Sequence, residues 1–206
     1  MKKLFLLIVI AFIAYNGNAQ TRADIFGSTP ITWLGMDFTH VKFIGNANQF
    51  KDAGTVTSRD MRAKYFPAWN DLFIAEQKKF DVAGAVNRDN VSYATEVTEN
   101  ANNKDKGEYF TDNLSDYQLL DADKIGKLVS KYDFKGKDGL GMLFFVEGMN
   151  KDKAEASMWV TFVNMGSKTV LLTNQVTGDA GGFGFRNYWA KSFYNVLNDI
   201  NLKKWR

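Results

Sequence analysis

Apolar and polar positions alternate along this chain with periods that change several times, and each change marks an element. The chain opens with Lys2 and Lys3 and an unbroken apolar run from Leu4 to Tyr15. A short polar stretch follows, Asn16-Gly17-Asn18-Ala19, with small residues three and one positions ahead of Gln20. A basic start, an apolar stretch and a small-residue cut site are the parts of a secretory signal. The run is too short for a spanning helix, which needs about 20 apolar residues. The expectation is therefore a cleaved signal over residues 1–19 and one exported domain over residues 20–206, in the periplasm or outside the cell.

Beyond a polar opening, Leu34, Met36 and Phe38 alternate within Ile31 to Ile44, which predicts a first strand. Gly, Asn and Asp then dominate residues 45–57, a loop. Ser58 to Glu76 reads as helical, with Pro67 breaking or kinking it and a second helix running on from Pro67. On that second helix Trp69, Leu72 and Phe73 share the inward face. A short helix is expected over Val82 to Val86, and Val91, Tyr93, Thr95 and Val97 alternate as a strand would. Asn100 to Ser115, rich in Asn, Asp, Lys and Gly, reads as a loop.

Asp121 is placed to cap a helix from Ala122 to Tyr132 that faces inward through Ile125, Leu128 and Val129. Leu140 to Val146 is almost wholly apolar, as in a central strand covered on both faces. Ala156 to Met165 and Thr169 to Thr177 form a hairpin through Gly166-Ser167. A last amphipathic helix starts at Phe185 and runs to about Leu202, with Trp189, Phe193, Val196, Leu197 and Ile200 in one stripe. This order predicts an α+β fold: a single domain with a mixed, mainly antiparallel sheet of about five strands and helices packed on it.

Composition narrows the function classes. The chain has no cysteine, so neither disulfides nor a lipid-bearing cysteine enter the picture, and aromatic residues, at 15% of the chain, must supply the core. Without Lys2 and Lys3 the formal net charge falls from +3 to +1, which removes the main reason to expect nucleic acid. No membrane span is expected after signal cleavage.

Candidate chemistry is sparse. His40, the one histidine, follows Asp37 on the first strand, but residues three apart on a strand point to opposite faces. No serine stands in a nucleophile elbow. One histidine and no cysteine do not make a zinc site, and Asp112, Asp116, Asp121 and Asp123 lack the spacing of a calcium loop. No catalytic residue, metal or cofactor is therefore expected. The segment with most promise is Gly178 to Arg186, between a strand and the last helix. There Gly181, Gly182 and Gly184 free the backbone and Arg186 adds a charged fork for an anion. The bland alternative is a turn whose glycines let the helix pack closely on the sheet.

The segment Ala156 to Asn201, with "ITWLGMDFTHVKFIG" and "GLGMLFFVEGMNK" earlier in the chain, resembles a family of exported proteins of Gram-negative bacteria whose activity is not established. More loosely, the order of elements is similar to that of the curli-secretion lipoprotein and of the N-terminal domain of the Tol-system propeller protein. That resemblance implies a non-catalytic domain that binds an envelope protein partner. The alternative from the residues is a small anionic ligand binder or hydrolase using the Gly178–Arg186 loop, with Asp179 or Asp37 as acid or base. A homodimer through the flat face or the edge of the sheet is a third expectation.

Overall fold

The computed structural model describes residues 20–45 and 56–206; the expected signal and most of the first expected loop lie outside the described residues. In chain order the elements are α1 (Arg22–Ile25), β1 (Ile31–Asp37), β2 (Lys42–Ile44), α2 (Ser58–Asp60), a π turn (Met61–Tyr65), α3 (Phe66–Ala75) and α4 (Val82–Ala85). They continue with β3 (Ser92–Tyr93), α5 (Glu96–Lys104), β4 (Phe110–Thr111), a 3-10 turn (Leu114–Asp116) and α6 (Ala122–Lys131). The chain ends with β5 (Leu140–Asn150), β6 (Glu155–Asn164), β7 (Thr169–Asp179), α7 (Phe185–Asp199) and α8 (Leu202–Trp205).

The sheet corrects the expected topology. Among the described residues it has seven strands, and the path β3-β1-β5-β2-β4 is parallel at every pairing, so the sheet is not mainly antiparallel. β1 and β2 lie end to end along one edge of β5, while β6 and then β7 add antiparallel on the other. The physical reason is the length of the connections. Only the β5–β6–β7 turns are short enough to show as hairpins in sequence. The parallel strands are joined through helical crossovers whose pairing leaves no local trace.

Apolar residues on successive positions of β5 serve two cores. Met142, Phe144 and Val146 meet Met158, Val160 and Phe162 of β6 under Trp69 of α3 and Phe193 of α7. Leu143 and Phe145 point the other way, toward Ile125 and Val129 of α6 and Val97 of α5. All of β5 is buried, as its uninterrupted apolar run requires. α7 comes close to β7 because Gly178 has no side chain: a Cβ there would collide with the Ser192 carbonyl oxygen.

Two further expectations change. Pro67 does not break its helix; the π turn widens the backbone just ahead of it, so the missing N–H falls at the start of α3. The strand expected over Val91 to Thr98 shrinks to Ser92–Tyr93, and the following loop is helical as far as Lys104. α5 was hidden because two of its three buried residues are polar, Thr98 and Asn102. Among the described residues no helix is long and apolar enough to cross a membrane.

Candidate functional site

The last two turns of the chain's architecture build a cleft. β7 ends at Asp179, and Gly182 and Gly184 take φ of +102° and +83°, a region open to glycine, to swing the backbone into α7. The Gly181 N–H donates to the Tyr188 carbonyl (3.0 Å), which folds this loop back on the first turn of α7. From the other side, Trp69 donates its indole N–H to the Arg186 carbonyl (2.9 Å) and so ties α3 to that same turn.

Between these elements lies a cleft of about 420 Å³, a size that suits a small ligand. Leu72 and Ala190 form its apolar floor and Tyr194 a wall. Arg186, Lys191 and Lys79 bring three cations to it, against the single carboxylate of Glu76. Lys79 and Glu76 pair at 3.7 Å, but both are exposed, and such a pair contributes little. Among the described residues the Arg186 guanidinium makes long contacts, to Asn187 Oδ1 (3.3 Å) and the Ala68 carbonyl (3.5 Å). Its fork is thus held at the cleft without a carboxylate of its own. The arrangement can receive an anionic group while an attached apolar body rests on the floor.

Of the four residues expected to bind a ligand, Gly181 and Arg186 line this cleft. Gly182 and Gly184 do not; they shape the turn. Lys79, Lys191 and Tyr194 were missed. Arg186, Asn187, Ala190, Lys191 and Tyr194 share one face of α7, a helical spacing readable in sequence beside the apolar stripe. Lys79 arrives from a distant segment and left no such signal.

The proposed acid and base groups lie elsewhere. Asp179 is exposed and outside the cleft lining. Asp37 is buried, accepting from Tyr132 Oη (2.7 Å) and from the Thr39 N–H and hydroxyl (2.8 and 2.6 Å). His40 does not touch Asp37, but its Nδ1 lies 2.8 Å from the same Thr39 hydroxyl. Since that hydroxyl donates to Asp37, the histidine donates from Nδ1 and leaves Nε2 toward solvent. Burial, and then Asp37, raise the Tyr132 phenol well above its usual value. A second buried carboxylate, Glu147, sits at a bulge of β5 and accepts from Ser157 Oγ (2.7 Å), Gln175 Nε2 (2.5 Å) and the Leu120 N–H (3.0 Å). It is a held structural group. Among the described residues no three His, Asp or Glu side chains gather as metal ligands would.

No protein-family model, curated protein or solved structure matches the chain.

Proposed function

We propose that the mature chain is an exported binding domain, without chemistry of its own, that takes an anionic ligand in the cleft between α3 and α7. The observation that carries this reading is the Arg186 guanidinium, set beside Lys191 and Lys79 over an apolar floor. The basic start, apolar run and small-residue cut site over residues 1–19 support a location in the periplasm or outside the cell. A protein partner from the envelope is the second reading. It is favoured by Phe183, 92% exposed on the loop that borders the cleft, and by Ile74 in the adjoining groove.

Thermal melting with inorganic phosphate tests the first reading. A ligand at ten times its Kd adds about 1.4 kcal/mol, or roughly 3–6 °C for a chain of this size. Arg186→Ala should abolish the rise and leave the melting temperature without phosphate close to that of the parent. A rise that survives Arg186→Ala, or no rise at saturating phosphate, overturns the anion site. If phosphate is silent and a crosslinker placed at Phe183 captures one envelope protein, the second reading replaces the first.

A further inference from the structure

Phe183 is the most exposed large apolar side chain among the described residues, at 92%. It stands on the loop between β7 and α7, two residues past Gly181 of the cleft lining and three short of Arg186. Two hydrogen bonds keep that loop folded behind the ring. The Gly181 N–H donates to the Tyr188 carbonyl (3.0 Å), and the Tyr188 N–H donates to the Gly184 carbonyl (2.8 Å). From Ala180 to Asn198 the chain carries no Asp or Glu. Lys191 lies against the loop, where a Cβ on Gly181 would stand 3.5 Å from its Nζ. Lys79 lines the same cleft, and Lys78 and the exposed Ile74 line the groove next to it. Among the described residues Arg186, Lys191 and Lys78 pair with no carboxylate, and Lys79 pairs only with Glu76.

We infer that this face docks on a membrane surface of anionic phospholipid, with Phe183 entering the acyl boundary and a headgroup phosphate in the cleft. The inference rests on the anion-binding reading of the cleft and names the source of its anion. Lys78, Lys79, Arg186 and Lys191, against Glu76 alone, complement such a surface, because each cation held near a negative interface adds attraction. An aromatic ring among cations suits the headgroup boundary, where the ring leaves water while the charges stay at the phosphates. A protein hot spot instead surrounds its ring with contacts that exclude water; Phe183 is flanked by Gly182 and Gly184. The other exposed apolar side chains, Leu114 and Leu119, lie between Asp112 and Asp123, a stretch with four carboxylates and no cation. A negative surface repels that stretch, so charge selects the face that bears Phe183.

Flotation of the processed protein with lipid vesicles tests the docking. Vesicles of phosphatidylglycerol mixed with phosphatidylcholine should carry the protein, and pure phosphatidylcholine vesicles should not. Binding should fall as salt rises toward about 1 M, where the screening length is about 3 Å. Phe183→Ala should weaken binding roughly ten-fold through lost apolar burial, yet keep the rise in melting temperature with inorganic phosphate. Arg186→Ala should abolish that rise and weaken vesicle binding roughly five-fold. Leu114→Ala, in the acidic stretch, should bind as the parent does. No flotation with the anionic vesicles overturns the membrane surface. So does equal flotation with neutral vesicles, or binding that Phe183→Ala leaves unchanged. If the phosphate rise survives any of those results, the anion cleft stands and only the lipid source of its anion falls; without the rise, both readings fall. Capture of one protein at Phe183 with no flotation gives the face to a protein partner instead.

Discussion

The sheet is finished differently along β1 and along β7. Past β3, the outer side of β1 pairs with no strand among the described residues, and side chains from two helices take its place. Thr98 donates to the Leu34 carbonyl (2.8 Å), while Asn70 accepts from the Met36 N–H (2.7 Å) and donates to its carbonyl (3.2 Å). Asn102 donates to that same carbonyl (2.9 Å) and accepts from the Phe38 N–H (2.8 Å). On β7, among the described residues, one side chain bonds the strand's backbone, Asn195 to the Asp179 carbonyl (2.8 Å). A buried edge must satisfy its backbone from within the chain, whereas an edge in contact with water can wait for another molecule. The difference separates an edge closed by side chains of the chain itself from one left largely to its own backbone.

The closed side breaks most severely at Gly35. Its φ of +93° suits glycine, and an added Cβ would collide with the Thr98 hydroxyl and lie 2.9 Å from Asn70 Oδ1. Gly35→Ala therefore strains the backbone and displaces two of the groups that close the edge. The expected loss is roughly 3 kcal/mol or more, from backbone strain and overpacking together. Denaturant unfolding measures it, and a loss below that of a surface substitution would show that the side chains do not hold β1. Asn102→Ala is milder. It strands the Phe38 N–H but leaves Met36 with Asn70, for an expected cost of about 1–3 kcal/mol in the same measurement.

How far these regions were legible follows from how each is made. β5, β6 and β7 are long, apolar or alternating, and joined by short turns, so their residues announced them. α6 and α7 were equally plain from their stripes and the Asp121 cap, whose carboxylate accepts from the Lys124 N–H (2.8 Å). The closure of β1 was not legible, because Thr98 and Asn102 look like solvent-facing residues until the strand they bond to is in place. β2 and β4 are too short to carry a period, and their parallel pairing with distant segments hid the sheet's topology. The candidate cleft was half legible. Gly181 and Arg186 stand in one glycine-rich segment, but Lys79 joins them only through the packing of α3 against α7.

The closed side ends in a group that titrates, which gives the smallest and most specific test. Tyr132 donates to Asp37 Oδ2, and Tyr132→Phe would leave that buried oxygen without its donor, at a cost of about 1–2 kcal/mol near neutral pH. Its pH dependence has a definite sign. Below the usual phenol value of 10.0 both folded and unfolded chains carry neutral Tyr132, and its contribution is constant. Above it the unfolded phenol ionises while burial and Asp37 keep the folded one protonated, so stability falls as pH rises. Tyr109, pushed up to about 12 by burial and by its bond to Asp105, and Tyr117, raised by burial and by Glu155, add to the same alkaline slope. Unfolding free energy measured from neutral to alkaline pH should therefore fall less steeply in Tyr132→Phe than in the parent. Equal slopes would mean that Tyr132 reaches solvent and that Asp37 draws its donors from Thr39 alone.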